Sequence, residues 1–351
     1  MEETTVTTDS ATQRSITPFV FHGNGADYFR IWIVNLLFTI LTLGIYSAWA
    51  KVRTKKYFYG NTELAGDRFD YIASPIAILK GRLIAVALLL IYSLAGAFSS
   101  LLGFVLGLTL FLCIPVIVVA ALRFNANNSI WRGVRFGFDG SILQAYKPYF
   151  LWLLFALVTL GLGYPHARYK INQYNINHHR FGQAHSYSTA TSGGFYLIAL
   201  ICVGAFFATF ILYFCVMFIY GLLSTAIGMN GQGFLPAISI AIFMLVYIAI
   251  ILLYQALYFR LVFNNIEVVE NRLRNNISLY VYVMILLTNF LLTLVTLGIY
   301  HPWAAVRRVR YLQSNLWIEA QDLNAFTARE SDNIAARGEE LGEAFDLGIG
   351  I

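Results

Sequence analysis

His166, His178, His179 and His185 form the one grouping in this sequence with the residue type for a metal centre. Zinc chemistry would need two of them on one helical face beside a glutamate acting as general base, with acids to orient the imidazoles. The His-Glu-x-x-His spacing is missing, and neither Asp nor Glu occurs from Tyr71 to Phe138 or from Gly140 to Ile266. The histidines therefore read as interfacial or hairpin residues, and no metal site is expected. The same gap in carboxylates argues against proton- or sodium-coupled transport and against intramembrane aspartyl proteolysis, which need ionisable groups inside the bilayer. No Gly-x-Ser-x-Gly elbow, Walker loop or dinucleotide fingerprint occurs. Asn35, Gln255 and Asn289 supply polar atoms within apolar stretches, where they read as interhelical hydrogen-bonding groups. Cys113, Cys202 and Cys215 also fall in apolar stretches and read as packing residues. The sequence thus predicts no catalytic residue, no cofactor and no enzyme activity.

A different pattern joins cations to aromatic rings. Thr42-Leu43-Gly44-Ile45-Tyr46-Ser47-Ala48-Trp49-Ala50-Lys51-Val52-Arg53 recurs without a gap from Thr159 and from Thr296, at offsets of 117 and 137 residues. Trp49, His166 and Trp303 share one column, and Tyr57, Tyr174 and Tyr311 share another. Such agreement predicts an internal repeat in three copies. In each copy an apolar helix ends at Thr-Leu-Gly, and Pro165 and Pro302 suit the first turn of a second, amphipathic helix. On that helix Lys51, Arg53, Lys55 and Lys56 of the first copy, with Arg307, Arg308 and Arg310 of the third, are candidate contacts for anionic lipid. Tyr46, Trp49, Tyr300 and Trp303 are candidate anchors at headgroup level. The second copy departs from the pattern, with Gly163 and His166 where the others have tyrosine and tryptophan.

The elements that carry these motifs belong to a membrane. The chain is 58% apolar and only 12% charged, far from soluble averages. Residues 83–122 hold no charge, and a helix of that length is about twice the roughly 30 Å of a bilayer core, so it must fold back. Residues 181–259 are also uncharged and read as two spans, 195–222 and 235–258, around Gly228-Met229-Asn230-Gly231-Gln232-Gly233. Shorter apolar segments lie at 31–46, 148–164 and 279–300. No hydrophobic stretch precedes Ile31, so no cleaved secretory signal is expected. Alternating runs at 61–71, 179–188 and 316–326 suggest small β-hairpins, with further strand-like pieces at 19–23 and 135–140. The expected fold is an all-α polytopic membrane protein with small β-hairpins at the membrane surface. Its expected parts are a disordered tail 1–18, repeat units 19–122 and 123–259, a partial unit 260–326 and an acidic tail 327–351.

The tails carry charges of −2 for residues 1–17 and −4 for 327–351, leaving +12 on the core. The bases flank apolar segments, which points to anionic membrane lipids as partners and away from nucleic acid. Two topologies stay open. Seven crossings place the ends of the chain on opposite sides. Alternatively only the two long hairpins cross and the three short segments re-enter, which keeps every basic link in the cytoplasm and lets the strand-like pieces share one sheet.

The Thr-Leu-Gly-Ile-Tyr-x-x-Trp-Ala-x-Val-Arg motif, the Tyr57-Phe58-Tyr59-Gly60-Asn61-Thr62 after it and the Phe-x-Phe-x-Gly approach at Phe19 resemble the YjgN family. The resemblance runs from about Phe19 into the acidic tail. It implies a multi-pass protein of the bacterial inner membrane and brings no catalytic or binding residues, because that family has no assigned biochemical function. A transporter, channel or lipid-handling protein is one expectation, and a structural or regulatory scaffold the other. A continuous polar cavity between the long hairpins would favour the first, a sealed interior the second.

Overall fold

The computed structural model describes residues 14–226 and 234–332. Most of the two tails and the Gly228–Gly233 stretch, numbers 228–233, lie outside the described residues. The first described element is β1 (Ser15–Phe21), so four residues assigned by sequence to the tail are strand. It continues with α1 (Gly25–Leu41), α2 (Ser47–Gly60), β2 (Thr62–Leu64), β3 (Asp67–Tyr71), α3 (Pro75–Phe98), α4 (Ser100–Leu112) and α5 (Ile114–Asn127). Next come β4 (Ser129–Trp131), β5 (Val134–Phe138), α6 (Ile142–Tyr146), a π-helical turn (Lys147–Leu151), α7 (Trp152–Val158) and α8 (Tyr164–Asn177). The remainder is β6 (His179–Phe181), β7 (Ala184–Ser188), α9 (Ser192–Ala226), α10 (Phe234–Phe263), β8 (Ile266–Val268), β9 (Asn271–Asn275), α11 (Leu279–Val295), α12 (His301–Ser314) and β10 (Leu316–Ala320). A last helix, α13, occupies 323–332.

The expected all-α fold with separate surface hairpins is incorrect. All ten strands close into one antiparallel barrel, in the order β1-β10-β9-β8-β7-β6-β5-β4-β3-β2. Strands of three to seven residues cannot stand as isolated hairpins in water, and closure both buries one face and removes the free edges. The hairpin expected at 316–326 is a single strand followed by α13. Sequence reasoning missed the β4–β5 and β8–β9 hairpins, although Arg132 and Gly133, both at positive φ, mark a two-residue turn between paired Trp131 and Val134.

Strands on either side of every helical insertion pair with each other. Phe19 faces Leu64 across α1–α2, Phe69 faces Trp131 across α3–α5, and Phe136 faces Phe181 across α6–α8. Ser186 faces Val268 across α9–α10, and Leu316 faces Asn275 across α11–α12. Each insertion must therefore leave and return at the same barrel rim, which excludes seven crossings. Pro75–Phe98, Ser100–Asn127, Ser192–Ala226 and Phe234–Phe263 are long and apolar enough to cross a membrane. By contrast, α1 has 17 residues, about 25 Å, and is too short to span from the rim and emerge.

The short insertions turn back with their backbone groups satisfied. Leu43, Leu160 and Leu297 have φ of 49°, 52° and 50°, and the glycine after each lies at 91–93°. This left-handed pair lets the amides of Gly44, Gly161 and Gly298 donate to Thr39, Ala156 and Thr293 at 2.7 Å. The threonine before each leucine donates its hydroxyl to the last helical turn at 2.7–2.8 Å and accepts the first amide of the returning helix at 2.9–3.0 Å. With its polar groups used internally, the apex can present Leu43, Leu160 and Leu297, each at least 93% exposed, to lipid. In the long first hairpin Gly103 lies against Gly96, and Gly107 against the Tyr92 ring, so the chain reverses tightly at Ser99.

Candidate functional site

The barrel interior is built from alternate strand residues. Phe19, Phe69, Phe136 and Phe181 point inward, with ring centroids 6.2, 6.4 and 5.1 Å apart in that order. Trp131 lies 5.7 Å from both Phe69 and Phe181. A cavity of about 240 Å³ lies among these rings, Leu64, Ile318, Leu323 and Phe326. At the turn end α13 packs Leu323 and Phe326 into the barrel. Asp322 caps α13 by accepting the amides of Asn324 and Ala325 at 2.9 Å. Glu330, 7% exposed, accepts the amides of Gln183 and Ala184 at the β6–β7 turn. Arg132 joins Asp67 (2.6 Å) and the Ala65 carbonyl (2.9 Å) to Asn324 of α13 (2.7 Å).

At the opposite rim the interior widens into a second cavity of about 380 Å³, which shares Phe19, Phe69 and Phe136 with the first. Its lining adds neutral polar side chains from helix–strand junctions: Tyr59, Thr62, Asn125, Ser129, His179 and Gln313. Gln313 donates to Thr62 at 2.8 Å while its buried Oε1 has no partner among the described residues. His179 turns Nδ1 to the Asn175 carbonyl at 2.5 Å, and burial holds its imidazole below the ordinary range. The site is therefore amphipathic, with aromatic rings deep inside and uncharged hydrogen-bonding groups at the mouth that faces the membrane-inserted helices.

One local device holds this mouth open. Asn61, Asn128, Asn265 and Asn315 end their helices by donating to the carbonyl four residues back at 2.7–2.8 Å, and His178 makes the same contact at 2.8 Å. Their own carbonyls accept amides from the adjoining chain at His22, Ile72, Thr189, Asn276 and Asp139. The aligned Tyr57, Tyr174 and Tyr311 donate to Asn24, Ser141 and Ser278 at 2.7–3.1 Å, clamping the base of each short insertion. Burial pushes the Tyr174 phenol up to about 12.

The candidate lipid contacts and aromatic anchors lie on the returning arms α2 and α12 or at their N-caps, outside the barrel. Lys51, Lys56 and Arg308 are exposed. Arg53 lies over the Tyr46 ring at 5.7 Å. Lys55 donates to Asn125 at 2.6 Å and covers Tyr71, and its burial, with Lys51 nearby, lowers its pKa. Arg307 reaches Thr288 at 2.9 Å, and Arg310 holds the Gly23 carbonyl at 2.7 Å. Tyr46 stacks on Trp49 and Tyr300 on Trp303, each pair at 6.1 Å. Trp303 also stacks on Phe29, tying the last insertion to the first. The histidines scatter: His166 packs on Trp152, while His185 faces Asp139 at 3.4 Å. Among the described residues no group of three or more His, Cys, Asp or Glu could hold a metal ion. Sequence reasoning missed the lumen, because Phe19, Trp131 and Phe181 meet only through strand pairings across long insertions and Phe326 arrives on α13.

The family model described as "Bacterial protein of unknown function (DUF898)" matches residues 16–344. Inner membrane protein YjgN of Salmonella typhimurium LT2 is 27% identical over 348 residues, covering 86% of this chain and 88% of that protein. Inner membrane protein YjgN of Escherichia coli K12 is 36% identical over 154 residues, and that of Escherichia coli O157:H7 is 36% identical over 149. These two alignments cover 41% of this chain and 36% of each relative, so the chain spans about a third of their length. No solved structure matches. The match over nearly the whole chain, with four helices able to cross a bilayer, shows that the chain belongs to the DUF898 family alongside the YjgN proteins and is a multi-pass protein of the bacterial inner membrane.

Proposed function

We propose that this protein handles amphiphilic lipids, taking an apolar tail into the barrel from the adjoining membrane leaflet. The observation that carries this reading is the aromatic lumen, whose polar mouth lies at the rim from which every membrane-inserted helix departs. A through channel fits less well, since α13 packs Leu323 and Phe326 into the far end of the barrel. Beside α8, α9 and α10 at Arg168 the cavity measures only about 10 Å³, which offers no polar path at that point. The barrel stands in the cytoplasm in this reading, with exposed Lys51, Lys56 and Arg308 drawn to anionic lipid at about 1 kcal/mol per charge. The three short insertions are copies of one unit, supported by their common apex and tyrosine clamp.

Photo-crosslinking tests the proposal. Protein in nanodiscs doped with a lipid bearing a tail-end diazirine should label peptides carrying Phe69, Phe136 or Phe181. Labelling confined to α3, α4, α9 and α10 would instead support a scaffold with a sealed barrel.

A further inference from the structure

A third cavity, about 540 Å³, lies outside the barrel between the π-helical turn and α8. Pro148 has no amide to donate, and the ladder slips so that the Trp152 amide donates five residues back to Lys147. This slip brings Lys147 into a groove with Lys170, Gln173 and Asn177, with Trp152 also in its wall. The hydrogen bonds around it leave a set of donors. Gln173 spends its carbonyl oxygen on Lys170 at 3.2 Å, leaving its amide NH₂. Asn177 spends its oxygen on the Ser188 amide at 2.8 Å, again leaving NH₂. Neither lysine is in an ion pair with a carboxylate among the described residues, and no acid occurs from Gly140 to Ile266. Two ammonium groups and two amide donors call for one anion with several acceptor oxygens.

We infer that this groove binds the phosphodiester headgroup of an anionic membrane lipid. The groove sits on a membrane-inserted hairpin, between the rim residues Ser141 and Asn177 and the lipid-exposed apex at Leu160. That placement selects a lipid over a soluble phosphate. It also puts the specific lipid contact in the second copy, where the Tyr-Trp pair of the other copies is absent, and leaves the bases of the first copy to diffuse attraction.

Native mass spectrometry of the full chain ejected from nanodiscs containing phosphatidylglycerol and phosphatidylcholine tests this. Lys147→Gln and Lys170→Gln should each lower phosphatidylglycerol retention about fivefold, whereas Arg68→Gln, which removes an exposed base at the β2–β3 turn, should leave it nearly unchanged. Lys147→Arg/Lys170→Arg should restore it, which separates binding from a folding defect. Unchanged retention in both lysine variants, or an equal loss in Arg68→Gln, would overturn the assignment. Displacement of the lipid by millimolar inorganic phosphate would overturn the choice of a lipid ligand.

Discussion

Glu330 is a carboxylate buried at 7% exposure whose work is to accept two backbone amides of a β-turn 146–147 residues away. Charge-assisted hydrogen bonds of this kind contribute about 1.5–3 kcal/mol. Glu330→Ala should therefore loosen α13 before anything else, seen as faster limited proteolysis within 323–332 and a lower melting temperature in detergent. His179 gives a pH signature. Burial lowers its pKa below 6.5 in the folded protein, so the unfolded chain takes up the proton first. Stability is then complete above pH about 6.5 and declines as pH falls toward the folded value. That part of the acid loss should vanish in His179→Gln, measured as melting temperature from pH 7.5 to pH 5. For the clamping tyrosines, Tyr57→Phe, Tyr174→Phe and Tyr311→Phe should each cost about 1 kcal/mol in denaturant unfolding.

At the scale of elements the main expectation concerns sidedness. Asn61 and Asn315 cap α2 and α12, and Asn177 ends α8, so all three stand at one barrel rim. Single cysteines at these positions should share one labelling pattern in intact cells, protected from an impermeant reagent if the barrel is cytoplasmic. Labelling at 177 alone would contradict the strand pairing. Much of this level could be read from the residues. Thr-Leu-Gly announced a helix end, the uncharged stretch 83–122 announced a fold-back, and Phe19 and Phe136 stood in strand-like pieces. What escaped was pairing at long range. Phe69 meets Trp131 only after α3, α4 and α5 have intervened, and no local periodicity records such a partner. Short strands such as Ile266–Val268, directly after a 30-residue apolar helix, were also lost in the hydrophobic signal of the span.

For the whole molecule, the helical insertions stand in a closed ring above the barrel. The returning arm of each packs on the leading arm of the next, and α12 packs on α1 to complete the circuit. Gly25 is where that last contact is tightest, since a Cβ there would run into the Trp303 ring. Gly25→Leu should separate the first and last insertions, lowering detergent stability by about 1–3 kcal/mol through overpacking. The closing pair also sets an order in time. β1 leaves the ribosome long before β10, yet Ser15 must meet Ala320 and Pro18 must meet Trp317. The membrane helices can be inserted one hairpin after another during synthesis, while the barrel stays an open sheet with exposed edges on β1 and β9 until Leu316–Ala320 arrives. A nascent chain stalled before residue 316 would be fully inserted and still carry two unpaired strand edges, the feature by which a cell's proteases could tell an unfinished copy from a finished one.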